Sequence, residues 1–398
     1  SMFPASDRQM NFSEHPHPFW QVGFRPFFTL ACIAGMILPV LWIAMYTGAI
    51  GLVPDTPSTV MWHSHEMFFG FGWAVLGGFL LTATRNWVQI RGYYGRTLMY
   101  LVAAWLFERL GMWFEASWPP LLFRISNNLF LVSLVTMLLW TLIRHRSTDS
   151  YRKGNIFFLI ALPTFIVAKN LMLDTDTLQI GWSMTIGLFR IAFLIMRERT
   201  LSQFMKNVFK VTILCNPVLD RTIKLLGLLM VVESLLPAPL SAGVALLLAI
   251  LLAGRFIFWY PHLALRRIDI GIMYLGYLNI ILQLLLHFLG KTGGYAWIGS
   301  VSVHVFTFGV MGLIIPAMLI RIAKGHTGRP VAFDRGDRAL LWIMVAGLLL
   351  RIVVPQIFPA DYVIWIVLAA ACWFVCFATI GWRYVPFLFL PRADGKAL

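Results

Sequence analysis

Charged residues are scarce in this sequence of 398 residues. Asp, Glu, Lys and Arg together make up 12% of it, against roughly 25% in a typical soluble domain. Apolar residues make up 59%, and the mean hydropathy is +0.78. So little charge is not enough to cover a chain this apolar with a polar surface. The composition therefore excludes an ordinary soluble domain and indicates a polytopic membrane protein.

Cysteine is scarce as well. The four cysteines form no CxxC or CxxCH motif, which argues against a c-type haem attachment site and a zinc ribbon. Cys372 and Cys376 share one face of a predicted helix, and we interpret them as packing residues. The first 20 residues are polar and rich in proline, without the apolar core of a signal peptide. We therefore expect the first predicted helix to direct membrane insertion.

Long apolar runs recur from Phe24 to Tyr384, without the alternation that is typical of barrel strands. Backbone polar groups in hydrocarbon must be bonded within their own segment, so these runs predict helices. The predicted spans are 24–47, 62–84, 97–115, 121–143, 155–173, 177–196, 222–236, 239–259, 269–289, 296–322, 338–354 and 361–385. We predict an all-α bundle of about twelve transmembrane helices over 23–386, between an N-terminal segment, 1–22, and a tail, 387–398.

The net charge of +15 follows the predicted topology and does not indicate a nucleic-acid partner. Alternate loops carry the basic residues, and the intervening loops carry acids such as Asp55, Asp174 and Asp361. By the positive-inside rule both termini are cytoplasmic, which requires an even number of spans. Twelve spans meet this requirement. We expect a multi-pass protein of the bacterial inner membrane whose main partner is the lipid bilayer.

The nine histidines sort by depth in this topology. Four of them, from three predicted helices, fall in one layer near the periplasmic side: His63, His65, His287 and His304. Two others, His262 and His326, fall at cytoplasmic helix ends. Ionisable groups inside a membrane are costly and usually functional, and imidazole is a common metal ligand. We therefore predict a cofactor or metal site in the outer layer, with His262 and His326 as further candidate ligands.

The first two histidines of that layer stand one residue apart in MWHSHEM, residues 61–67. Residues two apart in a helix point about 200° apart, so His63 and His65 do not both bind one ion if this segment is helical. We expect one of them to bind haem opposite His304. The other, close to Glu66 and Met67, would belong to a second metal site or a hydrogen-bonding site.

Glycines follow these histidines on both helices: Gly70 and Gly72 on one, Gly309 and Gly312 on the other. Small residues favour close helix packing in membranes, which is one interpretation. The other is a slot for a flat macrocycle held by imidazoles. Haem iron takes axial histidines and neutral imidazole also suits copper, so the sequence does not choose between the two.

Other ionisable residues also lie within or beside the predicted spans. An arginine matches a haem propionate bidentately, although arginine at a helix end also extends toward the membrane surface. Glu66, Glu108 and Tyr274 are candidates for proton relay or for hydrogen bonds that support the metal ligands. The ionisable residues within or beside the predicted spans are Arg25, Glu108, Arg109, Lys169, Arg190, Glu233 and Arg351.

Three stretches together resemble the NnrS family. They are GFRPFF (23–28), WHSHEM with GFLLTATRNW (62–87), and HVFTFGVMGLIIPAMLIRIAKGHTGR (304–329). The resemblance covers nearly the whole chain. It implies a twelve-helix bacterial inner-membrane protein that contains haem, expected to be b-type, together with copper, and that is linked to nitric oxide tolerance.

The family pattern falls on particular residues of this sequence, with two departures. Tyr274 stands where many members have a histidine, which raises the question whether His287, further along the same helix, replaces it. Arg85 replaces the usual proline and is a second candidate partner for the cofactor. The matching positions are Arg25, His63, His65, Glu66, His304 and His326.

The leading hypothesis is a membrane haem protein that binds or detoxifies nitric oxide and protects against nitrosative stress. Nitric oxide is small and apolar, so it reaches a buried haem through the bilayer. Turnover would also need an unknown electron donor, and the sequence does not separate an enzyme from a binding or sensing protein. A nitric oxide reductase of the haem-copper oxidase type is disfavoured because helices 6 and 7 contain no histidine. A secondary transporter or metal-nitrosyl exporter is the other alternative, without a recognisable internal repeat.

Overall fold

The computed structural model describes residues 16–213 and 215–397. Throughout this part of the chain the secondary structure is helical, with no strand. The predicted all-α class is therefore confirmed for these residues. Most of the predicted N-terminal segment, 1–22, and the last residue of the tail, 387–398, lie outside the described residues.

Twelve helices of at least 15 residues run through the described part of the chain. Two of them contain a π-helical segment, Glu66–Gly72 in the second and Thr307–Gly312 in the tenth. The helices are α1 (Phe24–Tyr46), α2 (Thr59–Val88), α3 (Arg96–Trp113), α4 (Pro120–Arg144), α5 (Ile156–Leu171), α6 (Leu178–Phe209), α7 (Pro217–Val231), α8 (Ala238–Ile257), α9 (Ile268–Thr292), α10 (Val301–His326), α11 (Arg335–Ile352) and α12 (Tyr362–Leu388).

Shorter helical segments fill several of the connections. Two are single α-helical turns and the others are 3-10 turns. The α-helical turns are Pro261–Ala264 and Val354–Ile357, and the 3-10 turns are Pro18–Trp20, Glu115–Ser117, Arg146–Thr148, Glu233–Leu235 and Pro359–Asp361.

Each predicted span coincides with one of the long helices, but their ability to cross a membrane differs. Within the described residues, nine helices are long and apolar enough to do so. The others are α3, which carries Arg96, Glu108 and Arg109, α5 with 16 residues and α7 with 15 residues. A perpendicular span needs about 20 residues. The protein is therefore a polytopic membrane protein, while twelve crossings and cytoplasmic termini stay predictions.

Polar residues mark several helix starts. The Ser58 side chain accepts a hydrogen bond from the Met61 amide, 3.2 Å away, at the start of α2. Asn216 does the same for two amides of α7. Asp334 and Asp337 form a reciprocal capping box at the start of α11. Because the first amides of a helix have no partner within it, these side chains stabilise the starts.

The helices pack into one bundle around α2 and α10. Neighbours along the chain pack together, as short loops require, and α12 packs against α1. Inside the molecule, 83% of the most apolar stretch is buried in both α2 and α10, against 33% in the segment that contains α12. The two helices that carry MWHSHEM and His304 are therefore the central ones.

The glycines of the π-helical segments allow close packing with protein side chains. A Cβ added to Gly72 would lie 2.9 Å from the Phe189 ring, and one added to Gly312 would lie 2.8 Å from the Trp373 ring. Gly70 and Gly309 are approached equally closely by other side chains. The packing interpretation of these glycines is confirmed, and the slot for a macrocycle does not lie against them.

Candidate functional site

A cavity of about 400 Å³ lies where α1, α2, α6, α10, α11 and α12 meet. His63 from α2 and His304 from α10 both line it. Its size is within the range of small-molecule sites, roughly 300–1,000 Å³. We call it the histidine cavity. Its aromatic walls are formed by Trp42, Tyr46, Phe68, Trp182, Phe308, Tyr362 and Trp373.

The His63 ring is held flat against Trp42. The two ring centroids are 4.4 Å apart and the planes differ by 10°. Its Nδ1 is buried and has no hydrogen-bond partner among the described residues. Leaving a buried polar atom unpaired costs free energy. His63 is therefore suited to bind a metal or another ligand from outside the protein chain.

The His304 ring is oriented by the backbone of its own helix. Its Nδ1 lies 2.8 Å from the carbonyl oxygen of Ser300. With the proton on Nδ1 the ring donates to that carbonyl and Nε2 keeps its lone pair, whereas Nη2 of Arg351, 3.1 Å from the same Nδ1, favours the other tautomer. Metal-binding histidines are commonly oriented in this way, with one ring nitrogen on a carbonyl and the other on the metal. Here Nε2 lies 3.4 Å from Nη2 of Arg351, which can donate to it.

Arg351 is the cationic side chain in the lining of the histidine cavity. Its Nη1 is buried without a partner in the described part of the chain, and its guanidinium lies 5.9 Å from the Tyr362 ring centroid. A guanidinium with free N–H groups matches a carboxylate. The sequence marked Arg351 only as one charge in an apolar helix, because nothing in the sequence indicates that it faces His304.

His65 points away from the cavity into a buried polar cluster. Its Nδ1 lies 3.0 Å from a Glu66 oxygen, and its Nε2 lies 2.8 Å from Lys169 Nζ and 3.1 Å from Asn127 Oδ1. Both ring nitrogens are therefore occupied by protein groups. As helical spacing requires, His63 and His65 serve different sites.

The same cluster joins α2, α3 and α5 through ion pairs, and α4 through the hydrogen bond of Asn127. Arg109 Nε lies 2.6 Å from Glu66 Oε2, and Arg109 Nη2 lies 3.1 Å from Glu108 Oε2. Lys169 pairs with Glu108. Two carboxylates thus face two cations, and with a neutral His65 the cluster has no net charge. Buried charges persist when they are paired in this way. We call it the ion-pair cluster.

His287 belongs to a third site. Its Nε2 lies 2.9 Å from Ser241 Oγ and 3.2 Å from Glu233 Oε2. It lines a polar pocket of about 230 Å³ between α6, α7, α9 and α10. This pocket shares three wall residues with the histidine cavity: Trp182, Ile186 and Val303. The four predicted outer histidines therefore occupy one end of the bundle but three separate sites.

Three other predicted residues lie at the opposite end of the bundle. Arg25, at the start of α1, donates from Nη1 to the Leu388 carbonyl at 2.9 Å. Arg85 lies near the end of α2, which is about 45 Å long. The His326 ring, at the end of α10, lies 5.7 Å from the Phe24 ring. None of the three lines the histidine cavity.

The last two predicted residues are also away from the cavity. His262 is exposed in the short helix Pro261–Ala264. Tyr274 is buried in α9, and its hydroxyl donates to the Trp259 carbonyl at 2.6 Å. Tyr274, which stands where many sequences of the similar family have a histidine, thus forms a hydrogen bond to the backbone.

The donor set of the histidine cavity is small. Across residues 16–213 and 215–397, no three His, Cys, Asp or Glu side chains are grouped so that they could hold a metal ion. The cavity contains two imidazoles, from His63 and His304, and the thioether of Met67. Two imidazoles could hold a haem iron or a copper ion. The described residues do not form the three-histidine copper site of a haem-copper oxidase.

The sequence model of the NnrS protein family matches residues 18–392. The chain belongs to the NnrS family. The resemblance seen in its motifs is thereby confirmed over nearly the whole chain. No curated protein matches this NnrS family member at a significant level. Its motif residues separate in space, with His63 and His304 in the cavity, Glu66 in the ion-pair cluster, and Arg25 and His326 at the far end of the bundle.

Proposed function

We propose that this NnrS family member is a membrane haem protein that binds or detoxifies nitric oxide and so protects a bacterium against nitrosative stress. The observation that supports this most strongly is the pair of imidazoles in one aromatic cavity. His63 and His304 come from the two central helices; Nδ1 of His63 has no hydrogen-bond partner among the described residues, and Nε2 of His304 has only the 3.4 Å contact with Arg351. Family membership supports the link to nitric oxide.

A b-type haem would take its ligands from the histidine cavity. His63 and His304 would bind the iron, and the aromatic walls would pack against the macrocycle. Arg351 would pair with a propionate, since its Nη1 is otherwise unpartnered among the described residues. When bound, ferrous haem would supply an iron centre for nitric oxide, which would take the place of one of the two imidazoles. The cavity walls, largely apolar, would admit nitric oxide from the bilayer without a polar channel.

Copper is the second proposed cofactor, and it could use the same donors. Imidazole nitrogen and thioether sulfur both suit Cu(I), and Met67 lines the cavity beside His63 and His304. Because one pair of imidazoles would serve either group, the metal content of the purified protein distinguishes haem from copper at this cavity.

We further propose twelve crossings of the bacterial inner membrane with both termini in the cytoplasm. The alternation of basic and acidic loops supports this topology. Turnover of nitric oxide would require an external electron donor and a source of protons. Glu66 and Glu108, in the ion-pair cluster, are the carboxylates proposed to relay protons.

The test is nitric oxide binding by purified protein in detergent. We expect a Soret band in the reduced protein that shifts when nitric oxide is added without oxygen. Continued loss of nitric oxide with reductant, at a rate lowered by Glu66→Gln, would indicate turnover, whereas stoichiometric loss would indicate binding. A stable, monodisperse preparation without colour or metal would contradict the proposal and favour the transporter alternative.

A further inference from the structure

The polar pocket beside the histidine cavity contains an arginine without an ionic partner. Arg190, in α6, is 3% exposed and makes no ion pair within the described residues. Its Nη2 donates to Gln283 Oε1 at 2.6 Å. Its Nε is buried and has no partner among those residues. A buried charge that is only partly solvated by the protein is costly, so this guanidinium calls for a counter-charge.

The carboxylate of the pocket is already occupied. Glu233 accepts hydrogen bonds from Ser183 and, at 2.7 Å, from Ser241. It also lies 3.2 Å from Nε2 of His287 and 4.0 Å from Nζ of Lys291. Four donor groups therefore surround it on its own side of the pocket. Glu233 attracts Arg190 electrostatically, but the two side chains form no ion pair within the described residues.

Three polar groups in the lining of the pocket have a hydrogen available to donate. Ser302 Oγ accepts from Gln283 Nε2 at 3.3 Å, which leaves its own hydroxyl hydrogen available. Ser234 Oγ is buried without a partner in the described part of the chain. Arg190 Nε is the third such group. A set of free donors beside a buried cation is complementary to an anion.

Charge and volume restrict which anion would fit. Arg190 and Lys291 contribute two positive charges and Glu233 one negative charge, so these three side chains give the lining a net charge of +1. A monovalent anion would neutralise it. The pocket volume of about 230 Å³ is several times the roughly 30 Å³ occupied by one water molecule, which suits a small hydrated ion.

We propose that the polar pocket binds a small monovalent inorganic anion, such as nitrite, nitrate or chloride, on the guanidinium of Arg190. Ser234 and Ser302 donate to the same ion. Trp182, Ile186 and Val303 line both the pocket and the histidine cavity. These three side chains therefore form the wall between the anion and that cavity. This site does not depend on the presence of haem or copper.

Thermal unfolding in detergent tests the site, because a ligand that binds only the folded state raises the melting temperature. Sodium nitrite, nitrate or chloride is titrated at constant ionic strength against sodium gluconate, whose anion is much larger than the three test ions. We expect saturable stabilisation by the small anions. The order of the three midpoints distinguishes an oxyanion site from a halide site.

Matched variants locate the binding. Arg190→Gln is expected to raise the half-saturating anion concentration at least about tenfold. Glu233→Gln is expected to lower it, because a like charge is removed from the pocket. Arg124→Gln, which alters an exposed arginine at the start of α4, is the control and leaves the midpoint unchanged.

Two results would overturn the proposal. One is the absence of saturable stabilisation by all three anions in the unmodified protein. The other is an unchanged midpoint in Arg190→Gln. If Arg190→Gln does not fold, the double variant Ser234→Ala and Ser302→Ala replaces it, and an unchanged midpoint there contradicts the site equally.

Discussion

At the scale of single residues, the orientation of each ring decides its role. His63 and His65 are chemically identical and only two positions apart, yet one faces a cavity and the other makes three contacts with charged or polar side chains. A one-position change rotates a helical side chain by about 100°. Helix geometry could therefore predict that the two differ, but it could not predict which one faces the cavity.

Arg351 illustrates a residue that sequence reasoning could not identify. The sequence favoured Arg25 and Arg85 as cofactor partners because they lie in or beside the family motifs. Both lie at the far end of the bundle from His304, whereas Arg351 approaches it. The charged side chain that contacts a given histidine is determined by packing between helices that are distant in sequence. The local sequence pattern does not predict that packing.

The ion-pair cluster makes its own residue-scale prediction. Lys169→Met removes the cation that pairs with Glu108 and leaves that carboxylate with Arg109 as its ionic partner. Breaking a buried pair typically costs about 3–5 kcal/mol. We expect the free energy of unfolding in detergent to fall by that order.

Two further variants check this explanation. Adding Glu108→Gln to Lys169→Met should recover part of the lost stability, because the uncompensated charge is then absent. Lys153→Met, in an exposed loop, should change the unfolding free energy by less than about 0.5 kcal/mol. Equal losses for the Lys169 and Lys153 variants would contradict the assigned role of the cluster.

At the scale of elements, the apolar runs located the helices well and their ends less well. The predicted span 222–236 is the helix Pro217–Val231, since Glu233–Leu235 forms a separate 3-10 turn. Hydropathy alone does not show where Asn216 caps a helix. The π-helical segments were not predicted either, because their wider turns depend on packing around α2 and α10.

The capping box of α11 has a predictable effect on stability and on its pH dependence. The Asp334 side chain accepts from the Asp337 amide at 2.8 Å and pairs with Arg383. The Arg383 hydrogen bonds and the Asp337 amide lower the pKa of Asp334 from 3.8 to about 2. A lowered pKa means that the ionised group stabilises the fold above its ordinary pKa, and that this stabilisation is lost as the pH falls toward 2.

Replacement of Asp334 tests this reading. Asp334→Ala should lower the unfolding free energy at pH 7 by about 1 kcal/mol, the usual value of an N-cap. The difference from the unmodified protein should shrink as the pH falls below 4. Asp361→Ala, which alters another exposed aspartate at a helix start, is the control. A difference that grows at low pH would contradict the assignment.

At the scale of the whole molecule, composition and loop charge were sufficient to predict a helical membrane bundle, and the described residues agree. The sequence could also place four histidines at one end. It could not divide them among three sites, because that division depends on which helices meet at α2, α6 and α10. The position of a residue along its helix predicts its depth in the membrane, but it does not predict which other helices pack beside it.

Topology is tested with a membrane-impermeant thiol reagent. Cys215 is exposed and lies between α6 and α7, in a loop predicted to be cytoplasmic. We expect it to be protected in spheroplasts and labelled in inverted vesicles. A cysteine introduced as Asp176→Cys, in the loop between α5 and α6, should show the opposite pattern. Labelling of both positions from the same side would contradict the predicted topology.

The most direct measurement of the central claim is the visible spectrum and the iron and copper content of purified histidine variants. We expect the unmodified protein and His262→Ala to retain the bound metal and its absorption band. His63→Ala and His304→Ala should each lose the metal or shift the band, because both imidazoles face the histidine cavity. Retention of band and metal in both cavity variants, with loss in His262→Ala or His326→Ala, would contradict the claim.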